Sequence, residues 1–189
     1  LAARLMGLDR AQTAHAMGIA EYHGPRSQMM RCIDHPTMLK DGSGWGAMCG
    51  VSAARLAARG FTGAPALTLS TDHWRDLGDT WLICQQYFKP YPVCRWAQAP
   101  IAAVLELQKR HGFDSRAITG LHIVSFHESV RLGTKQVTTT EEAQYSTSFP
   151  CALALVHGTV LPEHVAEAAL DHPEVQRLSS ILTMGEDAA

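Results

Sequence analysis

The stretch YFKPYPVCRWAQAPIAAVLELQKRHG, residues 87–112, constrains the fold most, because two prolines stand immediately before a helical pattern. Pro90 and Pro92 each fix φ and lack an N–H donor, so the segment that starts at Lys89 must be a rigid turn or an extended crossing. Apolar residues then recur at helical spacing, and Gly112 stands where a helix is expected to end. The sequence therefore predicts a stiffened junction that leads into a helix.

Two cations and a thiol lie on this junction: Lys89, Arg95 and Cys94. A helix start favours anions, because the first-turn N–H groups point outward and the helix dipole is positive there. The junction is therefore a candidate anion site. The alternative is that the two cations are ordinary surface charges and that Cys94 fills the core.

Composition excludes several classes of protein. The net charge is −2 with both signs scattered, so the chain has no basic patch for nucleic acid or an anionic membrane. The longest apolar run, around CALALV, is far shorter than the ~20 residues that span a bilayer, and no signal peptide is visible. Five cysteines without CxxC spacing predict reduced thiols and a cytoplasmic location.

Four segments, in order along the chain, resemble the MmgE/PrpD family, which includes 2-methylcitrate dehydratases, cis-aconitate decarboxylases and iminodisuccinate epimerases. They are LAARLMGLDRAQTAHAMGIAE at the start, MLKDGSGWGAMCGVSAARLAARGFTG at 38–63, KPYPVCR with the following WAQAPIAAVLEL, and TEEAQYSTSFPCALALVHG at 140–158. The resemblance covers most of the chain but only the central part of the family's usual length. The chain is therefore expected to be a fragment or one piece of a split protein, and to be inactive alone.

The predicted fold class is α+β and mainly helical, because helical patterns dominate the sequence. The resemblance implies that residues 1–85 are part of the family's all-helical domain. Residues 86–189 would then be its smaller α+β domain, here incomplete, with the active site between the two.

Local patterns predict the individual elements. Asp9 should cap the second of two helices in residues 1–23. The β-branched and aromatic content of residues 80–88 indicates a strand, and the alternation over 117–133 indicates another. His122 and His127 would face opposite sides of that strand, which disfavours a shared metal, and we expect no metal site.

The end of the chain carries three further predictions. Thr140 should cap a helix in residues 140–158, with two glutamates in its first turn. Pro150 should interrupt that helix as a kink. The final GEDAA, residues 185–189, should be disordered.

The resemblance implies a reaction at a carbon next to a carboxylate, without a redox cofactor or metal. Such chemistry needs a base for the α-proton and cations for the carboxylates and the enolate charge. The expected function is a dehydratase that acts on a small polycarboxylate of the 2-methylcitrate type. An epimerase or decarboxylase acting on a related acid, or a non-catalytic subunit that serves oligomerisation, are the alternatives.

Site residues are carried over from the family position by position. Lys40 matches a family lysine that precedes a glycine-containing turn, and with Lys89 it is a candidate catalytic residue. Ser43 stands where many members have histidine, so no acid/base role is carried over there. The candidate substrate-binding residues are Lys89, Arg95, Cys94, Ser146 and Tyr145. A homodimer is also expected, from the resemblance and from small-residue helix faces at 11–20 and 47–58.

Overall fold

The computed structural model describes residues 1–40, 42–133 and 136–187. Its α-helices, in chain order, are α1 (Ala2–Leu5), α2 (Arg10–His23), α3 (Met29–Asp34), α4 (Ser43–Ala57), α5 (Gln98–His111), α6 (His127–Leu132), α7 (Thr140–Gln144), α8 (Ser148–His157) and α9 (Pro173–Ile181). Its strands are β1 (Leu121–Ser125) and β2 (Leu182–Glu186). Helices joined by short 3-10 turns thus dominate, with one small sheet, which confirms the predicted fold class.

Contacts divide the chain into two compact units. The first unit consists of Leu1–Gln28 and Lys40–Gln86, and the second consists of Met29–Leu39 and the chain from Tyr87 onward. The short α3 belongs to the second unit because Ile33 is buried in its core and Asp34 forms an ion pair with Arg131. No helix in the described residues is both long enough and apolar enough to cross a bilayer.

The first unit is built from α2 packed against α4. Asp9 caps α2 as predicted: its Oδ1 accepts the Gln12 N–H at 2.7 Å, and the Gln12 Oε1 accepts the Asp9 N–H at 3.1 Å. The core between the two helices consists mainly of small residues, which are Ala16, Ile19, Ala53, Ala54 and Ala57. Because these side chains are short, the two helix backbones can approach closely.

A turn around Gly63 lies directly on α2. The Gly63 N–H donates to His15 Nδ1 at 3.2 Å, which fixes the turn against the helix. A Cβ added to Gly18 would lie 1.6 Å from the carbonyl oxygen of Ala64. Only glycine at position 18 therefore allows this approach.

The strand predicted over residues 80–88 is wrong. Leu82–Gln85 forms a 3-10 turn, and the side chains of Leu82 and Ile83 are 70% and 72% exposed. The first unit has no strand among its described residues with which this segment could pair. Residue types that favour strands do so by packing on neighbouring strands, so they have no effect where a partner is absent.

The core of the second unit is organised around α8. Every residue from Ser148 to Leu155 is buried, and α5 and α9 both pack against this helix. Phe149 and Leu153 are among its largest fully buried side chains, and burial of each stabilises the unit by about 1.5–3 kcal/mol. A helix that is apolar on all sides is expected at the centre of a domain.

Two details of the α7–α8 region differ from the predictions. The cap of α7 is Thr139, not Thr140, and its hydroxyl accepts the Glu142 N–H at 3.2 Å. Pro150 does not kink a helix, because α7 ends at Gln144 and Pro150 lies in the first turn of α8. In a first turn the missing N–H costs nothing, since that donor has no partner within the helix.

The sheet of the second unit also corrects the sequence prediction. The predicted strand is present but shorter: β1 runs from Leu121 to Ser125, and His127, which was predicted to lie on it, begins α6. Gly185 and Glu186 are not disordered, because they pair with β1 in parallel register from Leu121↔Leu182 to Ser125↔Glu186. The Asp187 N–H extends the ladder to the Ser125 carbonyl at 3.0 Å. The last two residues of GEDAA lie outside the described residues.

Candidate active site

The segment that precedes α5 has neither helix nor strand until a 3-10 turn begins at Arg95. The Arg95 guanidinium lies 4.5 Å from the centroid of the Tyr87 ring, in a cation–π contact. The Cys94 N–H donates to the Gln144 carbonyl at 2.9 Å, and the Val93 side chain is buried in the core. The segment is therefore an irregular stretch anchored to the second unit before α5, and its predicted stiffness stays a prediction.

Lys89 lies on the exposed side of this junction. Its Nζ donates to the carbonyl of Val93 at 3.0 Å, four residues further along the chain. This hydrogen bond uses one of the three donors of an ammonium group. The amine is thus held against its own segment, although Lys89 is exposed to solvent.

The Cys94–Gln144 hydrogen bond connects this junction to the end of α7, where Tyr145 and Ser146 follow. Tyr145 is half-buried and packs against the core of the second unit. Ser146 is fully buried. The two predicted substrate-binding hydroxyls therefore follow directly on the residue that anchors Cys94.

The hydroxyl of Ser146 belongs to a buried chain of serines at the start of α8. Its Oγ accepts the Phe149 N–H at 3.3 Å and lies 3.2 Å from the Oγ of Ser148. The Ser179 hydroxyl on α9 donates to Ser148 Oγ at 2.9 Å. Within this unit the chain of hydroxyls joins α8 to α9.

Family models match nearly the whole chain. A model of the MmgE/PrpD N-terminal domain matches residues 1–82, and a model of the MmgE/PrpD C-terminal domain matches residues 91–189. The chain belongs to the MmgE/PrpD family. No curated protein matches it.

In this MmgE/PrpD chain, Lys40 belongs to a different unit from the other site candidates. It is exposed and belongs to the first unit, two residues before Gly42, which is the N-cap residue of α4. The other candidates all lie in the second unit, on the α5 junction and at the α7–α8 boundary. A joint site of Lys40 and Lys89 stays a prediction.

Gln98 is a residue of this MmgE/PrpD chain that sequence reasoning missed. It is the first residue of α5 and is buried together with Ile101 and Val104, which follow at intervals of three on the same face. Its side chain is hydrogen-bonded to the backbone of the junction. A polar residue on the apolar face of an amphipathic helix is the signal that could have identified it.

The five cysteines are thiols, and none of them is disulfide-bonded. Burial raises the pKa of the Cys151 thiol to about 12, so this group stays protonated. Cys94 is half-buried, and its backbone N–H anchors the junction.

Histidines are numerous but do not form a metal centre. Within the described ranges, no group of three His, Cys, Asp or Glu side chains is arranged to hold a metal ion. His122 Nδ1 lies 2.8 Å from the Thr183 hydroxyl, and His127 Nδ1 lies 3.3 Å from a Glu186 oxygen. Because His127 is on α6, the argument that these two histidines face opposite sides of one strand does not apply.

Three further histidines cluster where α8 ends. The ring of His157 stacks on that of His164 at a centroid distance of 4.4 Å and meets the ring of His172 edge-on at 5.4 Å. Burial, and then the charges of these two neighbours, lower the pKa of His157 below its usual value of 6.5. The folded protein therefore resists protonation at this position.

Acidification should destabilise the protein through His157. Because folding lowers the pKa of His157, the unfolded chain binds a proton at this residue more readily than the folded protein does. The contribution of neutral His157 to the free energy of unfolding is therefore complete above pH 6.5. It is lost as the pH falls from there through the lowered pKa of the folded protein. We expect the Tm to fall on acidification, and to fall less in His157→Gln. Identical profiles of Tm against pH for the two proteins would contradict this.

Proposed function

We propose that this protein is a cofactor-independent lyase that dehydrates a small polycarboxylate of the 2-methylcitrate type. The proposal rests on membership of the MmgE/PrpD family together with one observation. Lys89 and Arg95 lie on a single junction that is hydrogen-bonded to the boundary carrying Tyr145 and Ser146. Two cations held in this way suit an anionic substrate with more than one carboxylate.

The proposed reaction begins with removal of a proton from the carbon next to a carboxylate. The electron pair left by this proton moves into the carboxylate as an enolate, and then returns to form the C=C bond as the β-hydroxyl leaves. An acid protonates that hydroxyl, so it departs as water. Lys89 pairs with the carboxylate, onto which the enolate charge moves. This interaction is strongest in the transition state, because the charge develops there.

The remaining candidates have supporting roles in this proposal. Arg95 binds a second carboxylate, and Tyr145 and Cys94 line the substrate-binding side of the junction. Ser146, which is fully buried, supports this side from below through its hydrogen bond to the Phe149 N–H at the start of α8. Lys40 is the second catalytic group in this proposal, and its role is to exchange a proton with the substrate.

An activity assay on the full-length protein tests this function. The substrates are 2-methylcitrate, citrate, cis-aconitate and iminodisuccinate, and the products separate dehydration from decarboxylation and epimerisation. Formation of an unsaturated acid from 2-methylcitrate supports the proposal. Conversion of only cis-aconitate or only iminodisuccinate would replace it with a decarboxylase or an epimerase, and no conversion would favour a non-catalytic subunit.

We also propose that the protein is a cytoplasmic homodimer. One of the two reasons for expecting a dimer is weakened by the structure. The small-residue faces of α2 and α4 pack partly against each other inside the first unit, so they are less available for an interface between subunits. The family resemblance is the support that remains. Light scattering of the full-length protein should give twice the mass of one chain at micromolar concentration, and the mass of a single chain would contradict the dimer.

A further inference from the structure

Both ends of the Gln98 amide are bound to the backbone that precedes it. Its Nε2 donates to the carbonyls of Tyr91, Val93 and Cys94 at 3.0, 3.2 and 3.3 Å, and its Oε1 accepts the Tyr91 N–H at 3.1 Å. Only the nitrogen can face three carbonyls, so the orientation of the amide is fixed. Only 5% of the Gln98 surface is exposed, so the amide makes these bonds inside the protein.

One of these carbonyls is shared with the proposed catalytic lysine. The oxygen of Val93 accepts from Gln98 Nε2 and from Lys89 Nζ, at 3.2 and 3.0 Å. A carbonyl has two lone pairs, so both bonds can exist together. We propose that Gln98 is a positioning residue, which fixes the Lys89 amine by holding its acceptor in place.

The physical basis is the cost of unpaired backbone groups. An apolar side chain at position 98 would take away the acceptor of the Tyr91 N–H and one donor from each of the three carbonyls. The carbonyls of Tyr91 and Cys94 would keep the Val93 and Ala97 N–H groups, but the Val93 carbonyl would keep only the Lys89 amine. The segment would then move to give the Tyr91 N–H a new partner. The Val93 carbonyl would move with the segment, and Lys89 would lose its fixed acceptor. The effect on turnover rests on the proposed function of Lys89, but the effect on the amine does not.

The reactivity of the amine therefore provides the test. An amine held against the backbone is less accessible to acetic anhydride than one on an unrestrained side chain, so Lys89 should react more slowly than Lys109, which is also exposed. In Gln98→Met, acetylation of Lys89 measured by peptide mass spectrometry should be about tenfold faster, equivalent to ~1.4 kcal/mol. Gln108→Met is the matched control, because Gln108 is on the same helix and donates instead to the Leu155 carbonyl at 3.0 Å. This control should leave the rate at Lys89 unchanged.

Unchanged acetylation of Lys89 in folded Gln98→Met would overturn the proposal. If that variant does not fold, the wild-type protein decides: reaction of Lys89 as fast as Lys109 would overturn the proposal, and slower reaction would support it.

Turnover gives an independent reading, since Gln98→Met should lower kcat in the full-length protein and have no further effect in a Lys89→Ala background. Additive losses would count against positioning through Lys89. A result in which acetylation of Lys89 is faster in Gln98→Met, while neither Gln98→Met nor Lys89→Ala alters turnover, would refute the proposed function. It would leave the positioning role of Gln98 intact.

Discussion

Replacing Lys89 with alanine should lower the turnover of the full-length protein about 10²–10³-fold, the usual cost of removing a preorganised donor to developing negative charge. The amine is held by the Val93 carbonyl before substrate arrives, so little ordering entropy is lost on binding. The Tm should change little, because Lys89 is exposed and an exposed charge contributes little to folding.

Lys109→Ala is the matched control for this prediction. Lys109 is also an exposed lysine, in the last turn of α5, and has no part in the proposed site. We expect its loss to change neither kcat nor Tm. Equal turnover in Lys89→Ala and Lys109→Ala would show that Lys89 is an ordinary surface charge.

Gly18→Ala should unfold or severely destabilise the first unit. The new Cβ would lie 1.6 Å from the Ala64 oxygen, which belongs to the backbone and cannot rotate away. Either α2 or the turn around Gly63 must shift, and the cost should reach or exceed the upper end of the ~1–3 kcal/mol typical of overpacking. Thermal unfolding followed by circular dichroism measures the effect.

Gly50→Ala provides the opposite expectation for the same chemical change. Gly50 lies inside α4, and nothing is within 4 Å of the position that its Cβ would occupy. Alanine should therefore stabilise the helix by roughly 0.5–1 kcal/mol, because glycine loses more backbone freedom on folding. A Gly18→Ala protein that melts at the temperature of Gly50→Ala would show that the turn does not press on α2.

The features predicted correctly from the sequence are those that a few neighbouring residues determine. Gly112 ends α5 in the left-handed conformation, with φ of 65°, and Asp9 caps α2, because both depend on their own turn of helix. The prolines before α5 likewise restrict the backbone without any distant partner. Local predictions of this kind identified the segment before α5, which carries the candidate residues Lys89, Cys94 and Arg95.

The features that were missed depend on distant partners. The strand LTMGE was not recognised because a short segment with a glycine and a glutamate becomes a strand only beside β1, whose paired residues lie 61 positions earlier in the chain. Residues 80–88 showed the reverse error, with suitable side chains and no partner. Gln98 was overlooked because its role depends on carbonyls that only the folded junction brings to it. Local pattern cannot report contacts of this kind.

The placement of α3 has a consequence for synthesis of the chain. Arg131, which pairs with Asp34, follows it by 97 residues. At about 5–20 residues per second, a ribosome needs roughly 5–20 s to cover that distance. During this interval Cys32 and Ile33, which are buried in the finished protein, have not yet met the α6 helix that they lie beside. This short apolar segment is therefore exposed on the nascent chain during that interval and needs protection from aggregation.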